Sequence, residues 1–327
     1  MRSSKKALPA LLIALALLAG ACTVSSDVPF DSSPEVETAT ESAGATADVA
    51  PDPDCNPDNA RPSIQPTEPL PTPGAMPAGS RMAAIQDSGT LRIGVALDTL
   101  LFGFLNPKSG EIEGFDVEIG NLVADAIFGG DAAADGRVEL IPITSAQRIP
   151  GLVSDDFDIV VKTMTITCSR WGQIDFSSVY YESGQKVLVS EDSGITRIED
   201  MTSDQTVCAA DGTTSIEALD DFPVQSVGVA GWTDCLVLFQ QGRIEGISTD
   251  DTILAGLAVQ DPFAVVVGDL FSEEPYGIGS PQQFPEFTQF VNSVLEQARE
   301  DGSWQELYDF WLLDTLGPQT PPVAEYR

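Results

Sequence analysis

Apolar and polar residues alternate with a changing period through the middle of the chain, and the changes mark strands and helices in turn. Short apolar runs bounded by polar or glycine residues predict strands, whereas apolar residues three and four positions apart predict amphipathic helices. Strands are expected at 91–96, 138–142 and 157–162, and helices at 116–128 and 145–153. Elements in this order are typical of an α/β fold.

A second alternating set starts near residue 187. It comprises strands at 206–209, 226–229 and 246–248, and helices that open at the turn 212–215, at 233 and at 251. Two further amphipathic helices, 284–300 and 304–316, fit either set by periodicity alone. The stretch from residue 81 onwards is long enough for two lobes of ordinary size.

The composition of residues 23–80 is different from that of the rest. This stretch holds eleven of the chain's 23 prolines and ten acidic residues, with hardly any large apolar side chains. Such a segment buries too little apolar surface to offset its chain entropy. We therefore predict a disordered, acidic, proline-rich tether outside the fold, in which Cys55 is able to pin the later half to the globular part.

Residues 1–22 have the pattern of a bacterial export signal. Three basic residues precede an apolar run at 7–18, and small residues then lead to Cys22. The apolar run is short for a membrane span. The stretch resembles a lipobox, with Ala19 where that motif usually has leucine, which implies a lipid anchor on Cys22 and an extracytoplasmic location. The alternative is an ordinary secretory signal followed by an accidental cysteine.

Four cysteines remain beyond Cys22, and an even number in an exported chain suggests two disulfides. Three pairings are possible. We favour Cys208 with Cys235, both inside one predicted lobe, which leaves Cys55 for Cys168. The chain has no histidine and no CxxC spacing, so neither a metal site nor a cofactor is predicted.

The formal net charge of −34 argues against nucleic acid and anionic lipid as partners, because both would be repelled. Attachment to the membrane must then come from the lipid. Against this acidic background Arg170 stands out, since it ends a polar loop, 163–170, where ligand groups of α/β folds tend to lie. Its guanidinium suits a carboxylate. The alternative is a surface salt bridge.

Several ordered motifs resemble the family 3 solute-binding proteins, the polar amino acid receptors of ABC importers. They are GFDVEI at 114–119, ITSAQRIP at 143–150, MTITCSR at 164–170, DFS at 175–177, QQGRIE at 240–245 and TDDTILAG at 249–256. The resemblance spans about residues 85–317. It implies a two-lobed periplasmic-binding-protein fold of type II, the Venus-flytrap arrangement, with a central hinge. Lobe 1 would be 81–182 plus 274–327, and lobe 2 would be 183–273. The strands that cross between them are expected near 180–186 and 268–276.

A free amino acid is a zwitterion, so its site needs a cation, an anion and oriented polar groups. The resemblance implies that Arg170 binds the α-carboxylate with help from backbone N–H groups at Thr213 and Thr214. Asp250 would take the ammonium, with Asp251 as the alternative one residue on.

The resemblance implies two further parts of the cage. Thr165 and the backbone near Thr163 would complete its polar side. Phe102 or Phe104 would pack over the aliphatic stem of the ligand, and a core role is the alternative for either ring.

The preferred amino acid depends on residues with opposite preferences. Arg148, with Ser145, matches positions that hold a side-chain carboxylate in glutamate and aspartate receptors of this family, whereas Asp98 matches a position that accepts from the side-chain amide in glutamine receptors. Lys162 offers a second cation, although a lysine at the end of a strand is more often solvated. Charge counting places glutamate or aspartate slightly ahead of glutamine.

The function implied is capture of a polar amino acid by lobe closure and delivery to an ABC permease. A sensor that signals to a membrane partner would need the same binding chemistry. An enzyme on the same scaffold is not expected, because the chain has no histidine and no pair of carboxylates or lysines whose spacing suggests acid–base work.

Overall fold

The structure is a computed structural model that describes residues 55–56 and 59–327. Its helices are α1 (Arg81–Ser88), α2 (Phe115–Phe128), α3 (Arg148–Val153), α4 (Cys168–Trp171), α5 (Thr214–Ala218), α6 (Trp232–Gln240), α7 (Asp251–Gln260), α8 (Pro285–Asp301), α9 (Ser303–Trp311) and α10 (Leu313–Leu316). Single 3₁₀ turns lie at Ser145–Gln147, Glu191–Ser193, Ile198–Asp200 and Leu219–Asp221.

The strands are mostly short. They are β1 (Leu91–Val95), β2 (Asp98–Thr99), β3 (Gly103–Leu105), β4 (Ile112–Glu113), β5 (Val138–Pro142), β6 (Ile159–Val160), β7 (Asp175–Phe176), β8 (Tyr181–Ser183), β9 (Gln185–Ser190), β10 (Thr206–Ala210), β11 (Gln225–Val229), β12 (Gly246–Asp250), β13 (Ala264–Val267), β14 (Glu274–Tyr276) and β15 (Gly279–Ser280). The elements predicted from periodicity are all present, within a few residues of the expected bounds.

The first lobe is built on a five-stranded sheet in the order β5-β1-β6-β15-β7. Strand β1 pairs in parallel with β5, where Leu91 faces Val138, and with β6. Strand β15 is antiparallel to both of its neighbours. The apolar residues of β1 are buried together with those of α2, whose amphipathic face covers the sheet. The carboxyl ends of β1 and β6 therefore open at one edge, towards the second lobe.

The second lobe is built on a separate five-stranded sheet in the order β11-β10-β12-β9-β13. Strand β10 is parallel to β11 and β12, whereas β9 runs antiparallel to β12 and β13. This lobe has its own buried cluster, and the disulfide Cys208–Cys235 links β10 to α6 within it. The second disulfide joins Cys55 to Cys168, so the favoured pairing is confirmed.

The hinge consists of two antiparallel strands. The chain leaves the first sheet through β8 and returns from the second through β14, and these strands pair with Tyr181 opposite Tyr276. The two crossings fall inside the ranges predicted from the sequence. Helices α8 and α9 belong to the first lobe, because Phe290 and Trp304 lie in the same core as β1. Periodicity alone could not make that assignment.

The later part of the predicted tether packs on the first lobe, which differs from our expectation that only Cys55 would pin it. Ser63 is fully buried and donates to the Phe176 carbonyl (2.7 Å), and Asn292 of α8 donates to Ser63 (2.8 Å). Met76 joins the first core. The segment is ordered because its backbone and side chains find hydrogen-bond partners on the body, which composition does not reveal.

Arg61 in the same segment reaches the hinge. Its guanidinium pairs with Glu182 of β8 and, at 2.9 Å, with Glu273 just before β14. Residues 1–54, with the predicted signal and Cys22, lie outside the described residues. Over the part of the chain that is described, no helix has the length and apolar character needed to cross a membrane.

Candidate ligand-binding site

A pocket lies between the two lobes, and we refer to it as the main pocket. Its lining is mostly hydroxyl and charged side chains: Ser145, Arg148, Thr163, Thr165, Thr213, Thr214, Ser215, Trp232, Thr249, Asp250 and Ile253. Seven of the ten residues expected at a ligand site therefore lie together here. The other three are Asp98, Phe102 and Arg170.

Arg170 lies beside the main pocket on α4, a one-turn helix where we expected a loop. Thr167 caps this helix, since its Oγ1 accepts from the N–H of Arg170 (3.3 Å). The buried guanidinium donates to the carbonyls of Thr165 (2.6 Å) and Gly212 (3.4 Å). Burial lowers its pKa from the ordinary value. Arg170 is thus an interior cation at the cleft and not a surface residue.

Arg148 is held rigidly by backbone carbonyls. Its Nε donates to Ser145 (2.9 Å), its Nη1 to Lys162 (3.2 Å) and Thr163 (3.3 Å), and its Nη2 to Gly212 of the second lobe (3.0 Å). Burial lowers its pKa to about 9, and the neighbouring arginine adds to this effect. Most of its N–H groups are therefore committed to the protein.

Asp250 is a buried carboxylate with one open oxygen. Its Oδ2 accepts from the Tyr276 hydroxyl (2.5 Å), while Oδ1 is buried and has no hydrogen-bond partner among the described residues. Burial, with the nearby charge of Glu274, raises its pKa well above the usual range. Asp251 instead accepts from the Ser183 hydroxyl (2.7 Å) and does not line the main pocket. The geometry favours Asp250 as the partner for an ammonium group.

Glu274 of the hinge strand β14 is a site residue that sequence reasoning missed. Its Oε2 accepts from the hydroxyls of Thr165 (2.6 Å) and Thr214 (2.7 Å), and its Oε1 accepts from Ser272 (2.5 Å). Thr165 belongs to the first lobe and Thr214 to the second, so one carboxylate connects both lobes at the hinge. Nothing in the sequence distinguishes this acid from the many others.

Asp116 of the GFD motif supports the loop that carries Thr163. The backbone of Thr163 has a φ of 38°, in the left-handed region that non-glycine residues rarely adopt. Its N–H donates to Asp116 (2.8 Å), and the Tyr180 hydroxyl donates to the other oxygen of that carboxyl (2.8 Å). Burial raises the pKa of Asp116 to about 6. The motif therefore stabilises a strained loop at the pocket.

Helix α5 begins at the main pocket. Thr213 caps it: its hydroxyl accepts from the Ile216 N–H (3.2 Å) and donates to the Ala210 carbonyl (2.7 Å). The Thr213 hydroxyl is thus committed within its own lobe. The first N–H groups of a helix have no intrahelical partner, so the N–H groups at Thr213 and Thr214 are placed at the main pocket without one.

A second cavity, the side cavity, adjoins the main pocket. It measures about 300 Å³, against about 10 Å³ for the main pocket, and Ser145 and Trp232 line both. Asp98 and Lys162 line the side cavity only. The main pocket has room for no more than about one water molecule. The lobes are therefore closed on each other, and an amino acid can enter only when they separate.

Asp98 is part of this closure. Its Oδ2 accepts from the N–H groups of Trp232 (2.7 Å) and Thr233 (3.4 Å) at the start of α6, where a helix favours negative charge. Gly231 permits the approach, because a Cβ there would lie 2.6 Å from the same oxygen. Asp98 is paired with the second lobe, and this pairing weakens its expected role as acceptor for a ligand amide.

Phe102 does not cover the pocket, which corrects our expectation for this residue. Its ring is 0% exposed and packs edge-on against Phe115, Tyr181 and Tyr276 in the first core. Edge-on packing among these buried rings stabilises Phe102 in the core. The apolar lining of the main pocket comes from Trp232 and Ile253 instead.

Metal chemistry finds no support in the described part of the chain. Across residues 55–56 and 59–327, no group of three or more cysteine, aspartate or glutamate side chains is placed to hold a metal ion.

Comparison with known proteins identifies the family to which this architecture belongs. The profile of the bacterial extracellular solute-binding proteins, family 3, matches residues 91–314. The chain is 36% identical over 233 residues to the ABC transporter glutamine-binding protein GlnH of Bacillus subtilis, covering 71% of this chain and 84% of that protein. It is 29% identical over 261 residues to the glutamate-binding protein GluB of Corynebacterium efficiens, covering 77% and 87%.

Solved structures of other amino-acid-binding proteins have the same two-lobed fold. The solute receptor for L-cysteine of Neisseria gonorrhoeae superimposes with a TM-score of 0.67 at 26% identity, covering 72% of this chain and 95% of that one. The ancestral amino acid-binding protein AncCDT-1, a precursor of cyclohexadienyl dehydratase, superimposes with a TM-score of 0.64 at 31% identity, covering 71% and 99%. The two-lobed fold is confirmed, and the chain belongs to the bacterial extracellular solute-binding proteins of family 3.

Proposed function

We propose that this protein captures a polar amino acid outside the cytoplasm and delivers it to an ABC permease, with glutamate or aspartate preferred over glutamine. The observation that carries the proposal is the open Oδ1 of Asp250, a buried carboxylate oxygen without a partner in the described residues. A buried, unpaired carboxylate oxygen is costly unless a donor arrives. The ammonium group of an amino acid supplies that donor.

The α-carboxylate takes the opposite side of the main pocket. Arg170 supplies a charged donor, and the start of α5 at Thr213 and Thr214 supplies backbone donors. The hydroxyl of Thr165 and the backbone of Thr163 complete the polar wall. Arg170 now donates to the carbonyls of Thr165 in its own lobe and of Gly212 in the other lobe, and separation of the lobes frees the donor that Gly212 holds.

The preference for an acidic side chain follows from the charges beyond the main-chain groups. Arg148 and Lys162 are buried cations near the ligand's side-chain end, and two acids, Asp98 and Asp234, line the side cavity beside them. The engagement of Asp98 by the start of α6 reduces its repulsion of a ligand carboxylate. Glutamine is the competing candidate, since the relative with 36% identity is a glutamine-binding protein.

Calorimetric titration of the protein against glutamate, aspartate, glutamine, asparagine and arginine tests the binding function directly. Efficiency limits for a ligand of about ten heavy atoms predict dissociation constants in the micromolar range or below. Tightest binding of glutamate or aspartate supports the proposal, tightest binding of glutamine corrects its specificity, and the absence of binding to all five refutes it.

Delivery to a permease separates an importer receptor from a sensor. Deleting the gene should abolish high-affinity uptake of the bound amino acid by the cells, and restoring it should return uptake. Unchanged uptake alongside a lost transcriptional or signalling response would instead favour the sensor. Turnover of amino acids or prephenate-like acids by the purified protein would contradict the expectation, drawn from the sequence, that it is not an enzyme.

The remaining parts of the proposal concern attachment and lobe limits. We propose that Cys22 carries the lipid anchor and that residues 23–54 form the tether. Metabolic labelling with a fatty acid should mark the wild type and not Cys22→Ala.

For the lobe limits, we propose that residues 81–182 with 274–327 form the first lobe and residues 183–273 form the second. Limited proteolysis would test these limits.

A further inference from the structure

The side cavity contains a lysine that the main-pocket chemistry leaves unused. Lys162 follows β6, is 2% exposed and lines this cavity. We expected a solvated lysine at the end of a strand, and the burial contradicts that expectation. Among the described residues, its Nζ makes no hydrogen bond and no ion pair within 4 Å. The Nζ group is accessible from the side cavity and its donors are free, so an anion that enters the cavity from outside the chain can become its partner.

The charged groups that face Lys162 all have other partners or lie too far away. Asp98 of β2 accepts from the start of α6, and Asp116 of α2 accepts from Thr163 and Tyr180. Asp234 of α6 lines the same cavity without pairing with the lysine. Burial lowers the pKa of Lys162, and the charges of Asp98 and Asp116 oppose that shift, while the N–H donors of the lysine stay free.

Arg148 is the other cation at this end of the cleft, and it differs from Lys162 in two respects. Its Nε, Nη1 and Nη2 already donate to four backbone carbonyls. It lines the narrow main pocket and not the roomier side cavity. Lys162 is thus the cation whose donors are free at the place with room for a side chain.

We propose that Lys162 binds the side-chain carboxylate of the ligand in the side cavity, and that this residue, rather than Arg148, selects acidic amino acids over their amides. The inference rests on the proposed capture of an amino acid in the main pocket. A ligand whose main-chain charges meet Arg170 and Asp250 leaves Lys162, Arg148 and Asp98 at its side-chain end. Asp98 and Asp234 both line this end as well, but each already accepts from backbone N–H groups at the start of α6, so the free donors of Lys162 are left for an acidic side chain.

The test compares Lys162→Met with the wild type by calorimetric titration of aspartate, glutamate, asparagine and glutamine. Methionine keeps an unbranched stem of similar length and removes the charge. We expect affinity for the two acids to fall at least 30-fold and affinity for the two amides to change less than threefold. Lys162→Arg should keep the preference for acids, and Lys108→Met, at an exposed lysine, should change nothing.

Two results would overturn the inference while leaving the proposed function intact. One is an unchanged affinity of Lys162→Met for the acids. The other is an equal loss for acids and amides, which would make Lys162 a general support of the pocket. Failure of the wild type to bind any amino acid would overturn the proposed function along with it.

A measurement on the wild type keeps the inference testable even where the methionine variant does not fold. Burial lowers the pKa of Lys162 to about 8, and a bound carboxylate must raise it. As the pH rises through this value, aspartate should therefore take up more of a proton than asparagine does. Arg148 has the higher pKa, about 9, so proton uptake through Arg148 should begin only at a higher pH.

Titrations in two buffers of different ionisation enthalpy measure this proton uptake. Equal uptake for aspartate and asparagine at every pH would overturn the inference, and an excess that appears only at the higher pH expected for Arg148 would assign the carboxylate to Arg148 instead of Lys162.

Discussion

The two ends of the cleft are built on different principles. At the main-pocket end, almost every polar atom has a partner, and the space left is about 10 Å³. At the side-cavity end, about 300 Å³ is open and a buried lysine has no partner among the described residues. The first end suits groups that all amino acids share, and the second suits the part that differs. Common affinity and specificity therefore belong to separate sets of residues, which mutation can distinguish.

The largest expected effect is at the main-pocket end. Asp250→Ala should weaken binding of acids and amides alike by about 30-fold or more, because loss of one member of a buried charge pair costs about 2–5 kcal/mol. Calorimetric titration measures it. Asp251→Ala is the matched control and should change affinity less than threefold, since that residue pairs with Ser183. If Asp251→Ala weakened binding by more than threefold, Asp251 and not Asp250 would be the partner of the ammonium group.

Arg170→Ala should have the next largest effect on affinity. It should weaken the binding of every amino acid by a similar factor, because it removes the charged donor for the α-carboxylate. Arg170→Lys keeps the charge without the planar fork and should recover only part of the affinity. The same titrations measure both variants. If Arg170→Ala weakened the binding of acidic ligands only, Arg170 would contact the ligand side chain. That result would contradict the separation of common affinity from specificity.

A smaller effect concerns the stability of the ligand-free protein. The folded-state pKa of Asp250 is raised, so the folded state binds a proton more readily than the unfolded state and ionisation of this carboxyl destabilises the fold at neutral pH. Asp250→Asn should therefore raise the midpoint of thermal unfolding at pH 7 by a few degrees, and the gain should shrink as pH falls towards 4. A variant less stable than the wild type at pH 7 would contradict this sign.

The smallest expected effect on binding comes from the support of α4. Replacing Cys55 and Cys168 with serine should lower the unfolding midpoint and weaken binding of all amino acids by less than about tenfold, because Thr167 still caps the helix that carries Arg170. Removing Cys208 and Cys235 should lower the midpoint with less than a threefold change in affinity, since neither cysteine lines the main pocket or the side cavity. A change in the ratio of acid to amide affinities in either variant would argue against separate ends.

Much of the fold and most of the main pocket could be predicted from the sequence. Periodicity locates regular strands and helices such as β5 and α2, and the motifs place Arg148, Thr165 and Asp250 in one pocket. The failures share a physical cause. The burial of Lys162, the central place of Glu274 and the core position of Phe102 depend on contacts between distant segments, and local pattern does not encode them.

The disulfide between Cys55 and Cys168 also determines how a pull on the N-terminal part of the chain would act on the folded body. Tension applied ahead of residue 55 passes through the sulfur atoms to residue 168, because the covalent link is far shorter than the 113-residue path along the backbone. That load therefore enters the folded body at the first turn of α4, two residues from Arg170, without first passing along β1, β5 and β6, which lie between the two cysteines in the sequence.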